Sequence, residues 1–220
     1  MANELIALAD AGDPNYSDAA LLALRGWIKF ARGEVSAAER DTRRAIELAR
    51  AADLQAQSQA YCIGGSVALA MGRSEEAAEL ASDLAALGTP MVAALCAPFP
   101  TLADVAWLFH DLGRAPELIY VVLDPDPIKS PWNDAARAIC DGKLVRAADT
   151  IDRIGHTASA AYARLRAAEA LAAAGEGAEA AAQRAQAEGF YRTVGAIRFI
   201  GNGETLDTAS GDNLRASADA

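Results

Sequence analysis

The stretch DAALLALRGWIKFARGEVSAAERDTRRAIELA, from Asp18 to Ala49, decides the fold. Its apolar residues Ala20, Leu21, Leu24, Trp27, Ile28 and Ala31 recur at steps of three and four, which puts them on one face of a helix. Gly33-Glu34 breaks that pattern, and glycine suits the left-handed turn that ends a helix. Ser36 is predicted to cap a second helix, with Glu39 as its capping-box partner, and that helix runs through Ala38, Ala45, Ile46 and Ala49. Two amphipathic helices joined this closely lie antiparallel, and small residues where they cross, here Gly26 and Ala38, permit close packing.

The same beat returns along the chain. A glycine is followed five residues later by a small or aliphatic residue at Gly33 and Ala38, Gly72 and Ala77, Gly113 and Leu118, Gly142 and Ala147, and Gly175 and Ala180. The glycines are spaced by 39, 41, 29 and 33 residues, within the span of stacked supersecondary units. The second unit repeats the first, with Gly65 at the crossing and Ser74 as cap. The predicted fold is therefore all-α, a stack of antiparallel helix pairs. Residues 1–206 form one domain, with pairs at about 18–51, 55–87, 101–123, 131–154 and 159–191, and a capping helix over 196–206. Asn3 to Ala11 reads as a further helix packing on the first unit. Prolines 90, 98 and 100 make residues 88–100 irregular, and the small, polar run 207–220 reads as a disordered tail.

Composition narrows the function classes. The chain has 220 residues and a formal net charge of −10, which opposes the phosphate attraction behind nonspecific nucleic-acid binding and disfavours an anionic membrane surface. No window approaches the roughly 20 apolar residues of a membrane span, and the N-terminal sequence shows no basic region followed by an apolar run. Cys62, Cys96 and Cys140 are far apart and outside any metal-ligand spacing, so reduced, mostly buried thiols in a cytoplasmic protein are expected.

Gly26, Gly33, Ala38 and Ala45, echoed by Gly65, Gly72, Ala77 and Leu84, resemble the tetratricopeptide repeat (TPR), in which such positions mark helix crossings and the turn, and the resemblance implies that the all-α stack of antiparallel helix pairs is a right-handed superhelical one. The resemblance spans about Asp18 to Tyr191 and weakens in the third unit, where Ala106, Leu118 and Pro125 stand at those positions. The run AYARLRAAEAL from Ala161, then Gly175, then FYRTVGA from Phe190, is similar to the C-terminal repeat region of large bacterial transcription regulators and adenylate cyclases that carry an ATPase module. That second resemblance implies a signalling role, with an ATPase or output domain as a further partner. The chain itself contains no GxxxxGK[ST] phosphate loop.

The inventory for catalysis is thin. Gly64-Gly65-Ser66-Val67-Ala68 lacks the final glycine of a nucleophile elbow and lies within a predicted helix, so it reads as a helix crossing. His110-Asp111 and His156 read as surface or turn residues. Asp104, Asp111 and Glu117 share no face with a histidine at ligand spacing, and Gly201-Asn202-Gly203 lacks the flanking strand and helix of a nucleotide loop. Glu75-Glu76 and Glu176/Glu179 stand where second helices start and favour the helix dipole. No catalytic residue, metal ligand or cofactor is assigned, and the chain is read as a non-enzyme.

What the repeat does index is a row of aromatic residues. Counting back from each turn glycine places Trp27, Phe30, Trp107, His110, Trp132 and Tyr162 on the first helix of each pair, facing the inner, concave side. Tryptophan and tyrosine favour binding hot spots because they bury large area and carry a polar tip. The expected function is a protein-interaction or regulatory scaffold that binds a peptide or partner domain in this groove. Two alternatives stand beside it: the rings only pack between units, or the chain is a ligand-sensing domain detached from an ATPase-containing parent.

Overall fold

A computed structural model describes residues 18–50, 54–87, 101–118 and 130–200. These residues are helical throughout, with no strand among them. In order the helices are α1 (Asp18–Ala31), α2 (Val35–Ala49), α3 (Leu54–Ala70), α4 (Ser74–Ala86), α5 (Thr101–Asp111), α6 (Ala115–Leu118), α7 (Pro131–Cys140), α8 (Leu144–Ile154), α9 (Thr157–Ala173) and α10 (Gly177–Val194), followed by a 3₁₀ turn (Ile197–Phe199). The segments predicted at Asn3 to Ala11, 88–100, 119–129 and 201–220 lie outside the described residues.

The opening beat has a backbone cause. Gly33 takes φ +81, a left-handed conformation that an L side chain rarely adopts. It lets Glu34 N–H donate to Lys29 O at 2.9 Å and Gly33 N–H to Phe30 O at 2.9 Å, the paired bonds that close a helix end. Glu34 O then accepts from Ala38 N–H at 2.9 Å, so the next helix starts at once. Gly72, Gly142 and Gly175 share the positive φ and the same bond pattern, and Gly113 shares the φ and the two helix-ending bonds, with Arg114 O accepting from Glu117 N–H at 3.0 Å.

This geometry corrects the predicted caps. α2 begins at Val35 with Glu34 as N-cap, α4 begins at Ser74 with Arg73 as N-cap, and neither cap makes a side-chain bond. The backbone bonds of the turn already set the N-cap two residues before Ser36 and one residue before Ser74, so both serines lie inside their helices. Serine capping does occur at Ser130, whose hydroxyl accepts from Asn133 N–H at 3.2 Å ahead of Pro131.

Packing follows the pairing. α1 packs on α2, α3 on α4, α7 on α8 and α9 on α10, while α1 packs on α3, α3 on α5 and α5 on α7. The small residues of the beat are the closest points: Ala38, Ala77 and Ala147 are fully buried. At Gly26 a Cβ would lie 2.7 Å from Thr42 Cγ2 and 3.2 Å from Ala38 O, so the α1–α2 crossing leaves no room for a side chain. At Gly65 a Cβ would meet Leu108 Cδ2 at 2.8 Å, which makes Gly65 the crossing between α3 and α5, whereas Gly64 faces Ile46 and Leu80. Thus the two adjacent glycines serve two different neighbours.

Candidate functional site

Two apolar clusters form the interior. One runs from α1 through α9, and the other joins Phe30 and Ala38 of the first pair, Val67 of α3, Leu165 and Tyr191 of the last pair, and Phe199 of the 3₁₀ turn. Trp27 and Tyr162 pack against both. The first and last helix pairs therefore meet, and the aromatic residues are what meets.

The contacts are specific. Trp27 stacks on Phe30 at 5.8 Å between ring centroids and meets Tyr162 edge to face at 5.8 Å. Tyr162 meets Trp107 edge to face at 5.4 Å, and Trp107 meets His110 at 5.9 Å. Rings in such offset or edge arrangements gain about 0.5–1.5 kcal/mol per pair beyond their burial. Trp132 does not join them: it is buried beside His156, at 5.6 Å. Phe30, Trp107 and Trp132 are buried, while Trp27, His110 and Tyr162 are half-buried.

Charge is built into the same place. Tyr162, Arg166 and Glu169 follow one another at helical steps on α9. Arg166 donates to both carboxylate oxygens of Asp111 on α5, at 2.7 and 2.8 Å, and its Nε lies 3.1 Å from Glu169. It also donates to the Tyr162 hydroxyl at 3.3 Å and lies 5.9 Å from the Trp107 ring centroid. Burial pushes the Tyr162 hydroxyl up to about 12, with Arg166 pulling the other way and Asp111 adding to the rise. Burial also raises the Glu169 carboxyl, against the pull of Arg166. Burial disfavours the Arg166 cation, but Tyr162, Asp111 and Glu169 outweigh it and hold the guanidinium firmly charged.

His110-Asp111, expected at the surface, is instead part of this interior: His110 Nδ1 lies 3.0 Å from Asp111 Oδ1, and the Asp111 side chain is only 13 % exposed. His156 is a turn residue as expected, with Nδ1 accepting from Ser159 N–H at 3.4 Å. Asp104 is half-buried on α5, and burial pushes its carboxyl up to about 7. Among the described residues no group of three or more His, Cys, Asp or Glu is placed to hold a metal ion. Burial pushes the Cys140 thiol up to about 12.

Sequence reasoning missed the parts played by Asp111, Arg166, Tyr191 and Phe199. Arg166 is four residues from Tyr162 on a helix face already singled out, so its place beside that ring was legible. Its partner Asp111 was not, because nothing local pairs α5 with α9. Phe199 sits in the predicted capping segment, whose described part is a 3₁₀ turn with Ala196 and Phe199 buried.

Apolar side chains also reach the surface nearby. Leu24 and Ile28, one turn apart on α1 beside Trp27, are 43 % and 50 % exposed. Ile197 is 63 % exposed, and its Cδ1 lies 3.5 Å from where a Cβ on Gly33 would stand, at the end of the same helix. No described helix is long and apolar enough to cross a membrane. No protein-family model matches the chain, and the searches of curated proteins and of solved structures found no match either.

Proposed function

We propose that the chain is a non-catalytic interaction or regulatory scaffold, a TPR-like superhelical stack of helix pairs that takes a peptide or partner domain on its aromatic side in the cytoplasm. The observation that carries this reading is the exposed apolar row of Leu24 and Ile28, set beside the half-buried Trp27 at the margin of the aromatic cluster. Apolar surface held in water next to a rigid aromatic platform is what an interaction site offers.

The test is selection of binding peptides from a displayed library on the full chain. Selected peptides should lose at least tenfold in affinity on Leu24→Lys and Ile28→Lys, with the melting temperature of both variants unchanged. Glu47→Lys on α2 should leave binding as it is. Failure to select any peptide, or equal binding by all variants, would count against the reading.

A second reading, a ligand-sensing domain, is favoured by one observation. The indole Nε1 of Trp107 and the hydroxyl of Tyr191 are buried with no hydrogen-bond partner, and unpaired buried donors of this kind suit a ligand rich in acceptors. Native mass spectrometry of the purified chain decides it: a bound small molecule supports sensing, and a bare mass does not.

A further inference from the structure

We propose that the segment Ala196–Ile200 is an internal stand-in for the partner, a plug in the aromatic site that a peptide carrying a basic residue beside an aromatic one displaces. This rests on the interaction reading above and names the chemistry its site would recognise.

The seat of the plug is an aromatic box. The Phe199 ring lies 5.8 Å from Trp27, 6.5 Å from Phe30, 6.1 Å from Tyr162 and 4.8 Å from Tyr191. Its neighbour Arg198 places its guanidinium 4.2 Å from the Phe30 ring centroid, a close cation–π contact. One aromatic side chain in a box and one cation over its wall is a recognisable two-residue binding element.

The attachment of the segment is weak where it needs to be. Its backbone bonds among the described residues are local: Ala196 N–H to Tyr191 O, Phe199 N–H to Ala196 O and Ile200 N–H to Ile197 O. Side chains alone hold it to α1. Gly195, with φ +68, ends α10 and turns the chain into the segment. Ile197 stands 63 % exposed while Ala196 and Phe199 are buried, so the segment lies at the surface and inserts Phe199 inward. Removing it would uncover Trp27, Phe30, Tyr162 and Tyr191 together, which is unfavourable unless another aromatic residue takes the place of Phe199.

The experiment uses the full chain and a fluorescein-labelled pentapeptide Ala-Ile-Arg-Phe-Ile, with a control in which serine replaces the phenylalanine, read by fluorescence anisotropy. Phe199→Ala should bind the peptide at least tenfold more tightly than the wild-type chain and should not bind the control. A Phe199→Ala chain with a wild-type circular dichroism spectrum and no gain in affinity overturns the plug. Should Phe199→Ala fail to fold, Arg198→Ala decides: a gain of threefold or more supports the proposal and no gain overturns it. Library-selected peptides that bind wild-type and Phe199→Ala equally would overturn the plug while leaving the interaction reading in place.

Discussion

Trp27 on α1 and Tyr162 on α9 meet edge to face at 5.8 Å, and through them the first helix pair touches the last. Each ring packs against both apolar clusters, so the pair couples elements that are far apart in sequence. Such contacts of long sequence separation, with those of α5 to α9 and of the 3₁₀ turn to α1, add to packing that is otherwise between neighbouring helices. Substituting Trp27 tests the coupling directly. Trp27→Ala should lower stability by about 3 kcal/mol, the range of large aromatic truncations. If Trp27→Ala and Trp107→Ala instead leave thermal stability unchanged and abolish partner binding, the rings serve the groove and not the core.

Trp107 offers a finer measurement. Its ring is buried, yet its Nε1 has no hydrogen-bond partner. Trp107→Phe removes both ring volume and an unpaired buried donor, terms of opposite sign. Its cost in urea unfolding should stay within about 1.5 kcal/mol, whereas Trp107→Ala should cost about 3 kcal/mol or more.

The Asp111–Arg166 pair should behave asymmetrically. Both side chains are mostly covered, at 13 % and 15 % exposure. Breaking such a pair leaves one charge without its partner, which costs about 3 kcal/mol, while replacing both with apolar residues is often near neutral. Arg166→Met and Asp111→Leu should each destabilise the chain, and the double variant should recover most of the loss. A double variant no more stable than the singles would show that Glu169 and Tyr162, not Asp111, set the cost.

How much of this was legible beforehand depends on range. The turn at Gly33 and the crossing at Gly26 follow from glycine spacing within one helical pair, whereas the apolar face read for α1 was misplaced: Leu24 and Ile28 are exposed, and Leu22, Ala23 and Phe30 are buried instead. The aromatic row was legible as a list, since the turn glycines index it. Its convergence was not, because the meeting of α1 with α9 depends on how the successive pairs accumulate in space. Trp132 shows the limit: the index put it on the same side as Trp107 and Tyr162, but in the structure Trp107 meets Tyr162 while Trp132 packs with His156. The caps failed for a local reason, the backbone bonds at Glu34 and Arg73, which a serine in the sequence cannot reveal.

Two glycines within helices should respond in opposite directions to alanine. A Cβ at Gly26 would stand 3.2 Å from the Ala38 carbonyl and closer still to Thr42, so Gly26→Ala must push α1 from α2 and should cost about 1–3 kcal/mol. Around Gly189 in α10 there is nothing within 4 Å of where a Cβ would stand, so Gly189→Ala should stabilise by about 0.5–1 kcal/mol through helix propensity alone. Thermal melts of the two variants, shifted to opposite sides of wild type, are the expected result.

Stability should fall at both ends of the pH scale, for opposite reasons. Tyr162 carries a hydroxyl pushed up to about 12 by burial, so folding favours its neutral form. That contribution is complete below the ordinary tyrosine value of 10.0 and is lost as pH rises from there through about 12. Tyr162→Phe should flatten this alkaline limb. Asp41 is the acidic counterpart: burial raises its carboxyl, but hydrogen bonds from Arg25 and Lys29 outweigh that and leave it below its ordinary value of 3.8. Arg25 grips both its oxygens at 2.6 and 2.7 Å, and Lys29 lies 2.9 Å away. Folding thus favours the Asp41 carboxylate, a contribution complete above 3.8 and lost as pH falls below it. Asp41→Asn should cost about 1.5–3 kcal/mol at neutral pH, the worth of hydrogen bonds to a charged group, and should flatten the acid limb. Urea unfolding from pH 2 to pH 12 measures both, and an Asp41→Asn chain with an unchanged acid limb would place that limb on other carboxylates.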